Sequence, residues 1–425
     1  MKFLTFCCVY LTLFCAVSLA QEIGREEIRM LVREVLAANP EIAARGSAMT
    51  MFERRIPQAG ALPDPELSVM FMEFPGLRVN EAMRTNVELM QMIPFPTKLG
   101  LRKDMARIQS EHAHHDYLEK AVSVVAELKS AVAMLWFART SLQLNRENQD
   151  IAHQILKSAE TLHAVGKASQ SEVLKSTVEL SKLRTEESGI HQEIASAESM
   201  LRAILNRPRD ARIGEIALTT TATKLPTLDE LLQAATTSRP LLRHDSLSVV
   251  ESGLSLDLMK QEYLPDFKVA IEYIRFPALQ ETRWSIGAGI TLPFAPWSLA
   301  KASARVEEAE AARLMRISMY TASRNMVRGG IEDGYAKVLS YQAQWKNFQE
   351  SILPLTDQSL KALLTEYQTG RTSFFMVLDT YRMLHEMKRD AAMALMKYHQ
   401  SLAGLERELG VYDLAAVSEL LKENE

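Results

Sequence analysis

The chain has 425 residues, 47% apolar and 24% charged, with 17 Gly and 15 Pro; this balance excludes a disordered chain, a collagen-like one and a small disulfide scaffold. The formal net charge of −4, without a clustered basic stripe, excludes a nucleic-acid partner, because a polyphosphate calls for a basic excess. At roughly 150 residues per domain, length alone would suggest about three domains.

Residues 1–20 read as a secretory signal: Lys2, an apolar run from Phe3 to Val17, then Ser18-Leu19-Ala20 as a small-x-small cleavage site before Gln21. All three cysteines, Cys7, Cys8 and Cys15, fall inside it, so the mature chain is expected to carry no disulfide or thiol chemistry. Lipidation at Cys15 is the alternative, disfavoured by Leu13-Phe14 standing where a small residue is needed. Beyond residue 20 no run of about 18 apolar residues occurs. An exported chain of this kind is periplasmic, secreted, or inserted in an outer membrane through strands.

The chain repeats itself. Pro40 matches Pro240, Pro65-Glu66-Leu67 matches Pro265-Asp266-Phe267, Phe74-Pro75 matches Phe276-Pro277, and Pro94-Phe95 matches Pro293-Phe294. Gly166 to Leu174 lines up with Gly370 to Leu378, and all offsets lie between 199 and 204. The expected organisation is therefore two tandem units, residues 21–205 and 227–425, joined by an irregular linker at 206–226 that adds short strands, with a short C-terminal tail.

In each unit a helical stretch precedes a strand pair and a long helical hairpin. The first strand pair is expected at about 66–93, and the second at about 267–292. In the latter, Trp284, Ile286, Ala288 and Ile290 alternate with Ser285, Gly287 and Gly289, the period of a sheet with one apolar face. Phe74, Phe95, Phe276, Trp284 and Phe294 gather near strand ends, as in an aromatic girdle. The hairpins are expected at about 98–205 and 297–409. Leu101 to Val165 is 65 residues without Gly or Pro, about 100 Å of helix at 1.5 Å per residue. A coiled-coil seam through Leu144, Ile151, Ile155 and Leu162 is expected to meet one through Ile190, Ile194, Ala197, Leu201 and Leu205. Gly166 and Gly370 fall where each hairpin reverses, and Gly329, Gly330, Gly334 and Pro354 predict a bend or break in the long helix of the second unit. Four strands cannot close a barrel, so several copies must pool theirs: two would fill their own interior, and three would leave a lumen.

These residues resemble the outer-membrane efflux protein (TolC-like) family over nearly all of the mature chain. The strongest match is Leu353-Pro354 followed by Tyr367-x-x-Gly370-x-x-Ser373-x-x-x-Val377-Leu378-Asp379-x-x-Arg382; Thr380 stands where Ala is common. Ile93-Pro94-Phe95-Pro96, Leu292-Pro293-Phe294 and Gly100-x-Arg102 are similar to the heavy-metal and cation efflux branch. The resemblance implies a mainly α chain of long antiparallel coiled-coil helices with four strands. It also implies a homotrimer with a membrane β-barrel in outer-membrane lipid, a periplasmic adaptor (membrane fusion) protein, an inner-membrane pump of RND type, and no chemistry of its own. It places a periplasmic gate at the hairpin turns: Tyr367 hydrogen-bonding Glu172, Asp379 lining the constriction, and Arg371 and Arg382 adding ion pairs. Met376 replaces a second acidic residue of some members. The alternatives are a conduit for type I protein secretion, and a periplasmic coiled-coil scaffold outside any membrane.

Two metal readings stay speculative beside solvated or space-filling ones. Met70 and Met72 share one strand face and Met90 and Met92 the matching face of the partner, a thioether set suited to soft cations. His112, His114 and His115, with Glu111, have partial ligand spacing on a helix. No phosphate-binding loop, nucleophile elbow or paired Cys motif occurs, and His385-Glu386 lacks the second histidine of a zinc helix. Neither catalysis nor a cofactor is therefore expected.

Overall fold

The computed structural model describes residues 26–73, 82–218, 225–277, 279–293, 295–414 and 417. The signal reading, the three cysteines, Phe74 and Phe294 lie outside them. Packing divides the chain into two compact units, one of residues 44–118 and 240–325, the other of 1–43, 119–239 and 326–425.

The first of these holds the sheet. Strands β1 (Glu66–Met72), β2 (Arg84–Ile93), β3 (Phe267–Phe276) and β4 (Glu281–Ile290) form one antiparallel sheet in the order β1-β2-β3-β4. The strand pairs expected from each half thus join edge to edge, with Thr85 opposite Arg275 and Ile93 opposite Phe267. Directly opposed residues share a face. One face carries Leu67, Val69, Phe71, Val87, Leu89, Val269, Ile271, Tyr273, Trp284, Ile286 and Ile290, and the other Ser68, Asn86, Glu88, Lys268, Glu272, Arg283 and Ser285. The apolar face is uncovered: Leu67 is 66%, Trp284 71% and Ile286 81% exposed. On the polar face Glu272 accepts from Asn86 Nδ2 (2.5 Å) and Ser285 Oγ (2.9 Å).

The corner from β2 into helix α3 (Pro96–Ala164) is fastened by Asp266, whose carboxylate accepts from the Phe95 amide (2.9 Å) and Lys98 Nζ (2.8 Å). Phe95 stacks on Phe267 with centroids 6.3 Å apart. Helices α2 (Pro40–Ala59) and α6 (Pro240–Lys260) precede the two strand pairs, and α2 itself follows a first helix, α1, described over 26–38.

The helical unit takes its core from α4 (Gln170–Ile204), α5 (Leu228–Ser238), α8 (Leu353–Gln368), α9 (Phe374–Leu409) and parts of α3 and α7 (Pro296–Asn347). Leu128, Leu135, Ile155, Leu201, Leu205, Leu231, Leu384 and Leu405 are fully buried. Three expectations need correction. The seam of α3 runs through Ser141, Asn145, Asn148, Ala152, Ile155 and Ala159, all buried, whereas Leu144, Ile151 and Leu162 are only half-buried beside it. The glycines do not break α7, which is continuous through Gly329, Gly330 and Gly334. At Gly330 and Gly334 the missing side chain instead serves close packing, since a Cβ would stand 3.2 Å from Glu408 and 3.4 Å from Leu405 Cδ1 respectively, whereas Gly329 faces open space. The irregularity comes later, as a π-helical turn at Phe348–Ile352 just before Pro354, because proline offers no N–H and its ring crowds the preceding turn. Finally, residues 206–218 contain no strand.

One stretch of α3 is long and apolar enough to cross a membrane by composition, but 61% of it is buried in the protein's own packing, as expected of a core helix.

Candidate gating site at the hairpin turns

Both hairpins reverse by the same device. Gly166 (φ +72°) and Gly370 (φ +73°) adopt the left-handed conformation that costs glycine least. The turn amides then close back on the preceding helix: Gly166 and Lys167 donate to the His163 and Leu162 carbonyls (2.9 and 2.8 Å), and Gly370 and Arg371 to those of Tyr367 and Glu366 (2.9 and 2.8 Å). Ser169 and Ser373 cap the next helices in extended backbone.

The copies differ at the third residue after the cap. In the first it is Glu172, whose Oε1 accepts from the Ser169 hydroxyl at 3.2 Å and its amide at 3.4 Å, the capping-box arrangement. In the second it is Met376, which is exposed and offers no acceptor. The remaining Glu172 oxygen, Oε2, accepts from the Tyr367 hydroxyl at 2.9 Å. Tyr367 is only 5% exposed and packs on Phe374 with centroids 5.9 Å apart. Burial, together with the Glu172 charge, pushes the phenol's pKa well above its ordinary value, so this hydroxyl stays a donor at any physiological pH.

Around this contact Leu180, Leu183, Leu360, Val377, Leu378 and Leu384 form an apolar cluster. Asp379 and Arg371 are exposed. Arg382 pairs with Glu179, which also accepts from Lys182 Nζ at 3.2 Å. Burial alone would raise the Glu179 pKa, but the two cations outweigh it and hold the carboxyl below its usual range.

Residues 31–207 match the family model described as outer membrane efflux protein. The chain is similar to that family over these residues. Among solved structures it is similar in fold to CusC (TM-score 0.77, 16% identity, 91% of this chain and 92% of that one). It is also similar to VceC of Vibrio cholerae (0.76, 16%, 92% and 98%) and to the CmeC channel of Campylobacter jejuni (0.77, 14%, 94% and 89%). No curated protein matches it by sequence. At 14–16% identity these likenesses establish a shared fold over at least 91% of this chain.

Within the sheet the methionines do not assemble into one thioether set. The antiparallel register sets Met70 opposite Asn86 and Met72 opposite Arg84, while Met90 stands opposite Glu66 and Met92 opposite Lys268. Met70 and Met90 are thus offset by four positions, about 13 Å at strand rise. His112 lies 3.3 Å from Glu251 and its ring 4.3 Å from that of His244, but among the described residues no three His, Cys, Asp or Glu side chains are placed to hold a metal. The sequence reading missed Asn148, Tyr381 and His385, although the signal for one of them was present: Asn148 is a polar residue at a seam position.

Proposed function

We propose that the chain is one protomer of a homotrimeric conduit whose sheets pool into a twelve-stranded barrel in outer-membrane lipid. Its helical hairpins stand in the periplasm, facing an adaptor and an inner-membrane pump of RND type. The observation that supports this best is the four-stranded sheet, with an uncovered apolar face on one side, hydrogen-bonded polar groups on the other and two open edges. Lipid accepts the first, a water-filled lumen the second, and neighbouring copies the third. A soluble scaffold would leave that apolar face in water.

The hydrogen-bonded pair Tyr367 and Glu172 acts as a latch of the closed gate, with Asp379 from three copies forming a carboxylate ring that favours cations. With cation-branch sequence features at the strand exits, the cargo class is metal cations. Cell fractionation tests the assembly: a heat-modifiable oligomer in the outer-membrane fraction is expected, and a monomer released by osmotic shock would overturn it. In planar bilayers Asp379→Asn is expected to lower the cation-to-anion permeability ratio; an unchanged ratio removes the ring.

A further inference from the structure

Three consecutive positions of the buried α3 seam are polar, with Ser141 7%, Asn145 1% and Asn148 1% exposed. Polar residues at such positions weaken a coiled coil and fix its register. Asn145 Nδ2 donates to the Leu183 carbonyl of α4 at 3.2 Å. Asn148 is tied to α9 twice: its side-chain amide meets His385 Nδ1, and its main-chain carbonyl accepts from the Tyr381 hydroxyl at 2.8 Å. From α4, Glu186 faces His385 Nε2 at 3.8 Å and Arg389 at 3.7 Å. Lys388 of α9 faces Glu147 of α3 at 3.8 Å, and Glu193 of α4 lines, with Ser141 and His385, a void of about 10 Å³.

We propose that Asn148, Tyr381 and His385 are positioning residues of the gate, pinning the axial register of α9 against α3 so that the α8–α9 hairpin leaves its closed position by breaking this layer. The inference rests on the gate reading of Tyr367 and Glu172. An apolar seam resists sliding weakly, because one aliphatic contact resembles the next. A hydroxyl aimed at one carbonyl and an imidazole on one amide are satisfied together in a single register.

With the Asn148 amide nitrogen assigned as donor, His385 Nδ1 is the acceptor and the imidazole is neutral. Burial, opposed by Glu186, favours that form and holds the His385 pKa below its ordinary value. A ring hydrated on opening regains its affinity for a proton, so acid favours the released state.

The test is the open probability of the full-length channel in planar bilayers. Tyr381→Phe and His385→Leu are expected to raise it about tenfold at neutral pH. The wild type is expected to open further between pH 7.5 and 5.5. His385→Gln, which keeps an acceptor and cannot titrate, is expected to stay closed at both. Tyr381→Phe and His385→Leu as closed as wild type, beside an opened Tyr367→Phe, would overturn the inference alone. If Tyr367→Phe is closed as well, the gate reading falls with it. Should His385→Leu fail to assemble, Tyr381→Phe and the His385→Gln pH profile decide.

Discussion

Tyr367 and Glu172, 195 residues apart in the chain, are joined by a 2.9 Å hydrogen bond in which one carboxylate serves two duties, capping α4 with Oε1 and holding α8 with Oε2. Losing such a bond costs about 1 kcal/mol, roughly a fivefold change in a two-state ratio. Tyr367→Phe is therefore expected to raise the open probability in planar bilayers while leaving α4 capped. Glu172→Gln keeps an acceptor oxygen but loses the charge, so its effect is expected to be smaller. Unchanged open probability in both variants removes the latch.

The two faces of the sheet make opposite demands on a new charge. Ile286, 81% exposed on the apolar face, becomes costly as arginine, by about 2–4 kcal/mol at the bilayer midplane. Ile286→Arg is expected to deplete the oligomer from the outer-membrane fraction. Ser285→Arg, on the opposite face beside Glu272, is expected to leave it in place. Equal depletion by both would argue against a membrane wall.

The strand pairs were legible because period-two alternation is a local property, and the hairpin turns because a left-handed glycine recurs in both copies. The sheet order was not, because it requires strands of different repeats to meet; Met70 and Met90 look matched by parity, yet the register parts them. The α3 seam was displaced for a related reason. A search for apolar periodicity passes over Asn145 and Asn148, which are buried because α4 and α9 supply their hydrogen-bond partners. Likewise Gly330 and Gly334 read as helix breakers until Leu405 and Glu408 are seen packed against them.

Those two glycines separate propensity from packing. A Cβ on Gly330 would meet the flexible end of Glu408 at 3.2 Å, which can swing away. Gly330→Ala is expected to be neutral or to stabilise by up to about 1 kcal/mol through helix propensity. At Gly334 the neighbour is the fully buried Leu405, including its Cα at 3.7 Å. Gly334→Leu is expected to destabilise by about 1–3 kcal/mol through overpacking. Urea unfolding of the two variants checks the difference in sign.

Lys129 and Glu406 give a prediction whose size depends on pH. Glu406 is 4% exposed, accepts from Lys129 Nζ at 2.6 Å and from the Leu414 amide at 3.2 Å, and its pKa is raised because burial outweighs the nearby ammonium. A carboxyl held protonated more readily in the fold than in the unfolded chain loses stability as pH rises through the ordinary carboxylate range. Lys129→Met removes the ammonium and deepens that loss, leaving a buried charge without its partner at a cost of about 3–5 kcal/mol. The penalty is therefore expected to be small near pH 4, where the carboxyl is protonated in the fold and largely so in the unfolded chain, and full at pH 8. Lys129→Met with Glu406→Leu is expected to recover most of it, short of the bond the Leu414 amide loses. Unfolding curves at the two pH values decide: a penalty independent of pH would mean that Lys129 acts through its alkyl chain and its 2.6 Å bond to the Tyr412 carbonyl rather than through its pairing with Glu406.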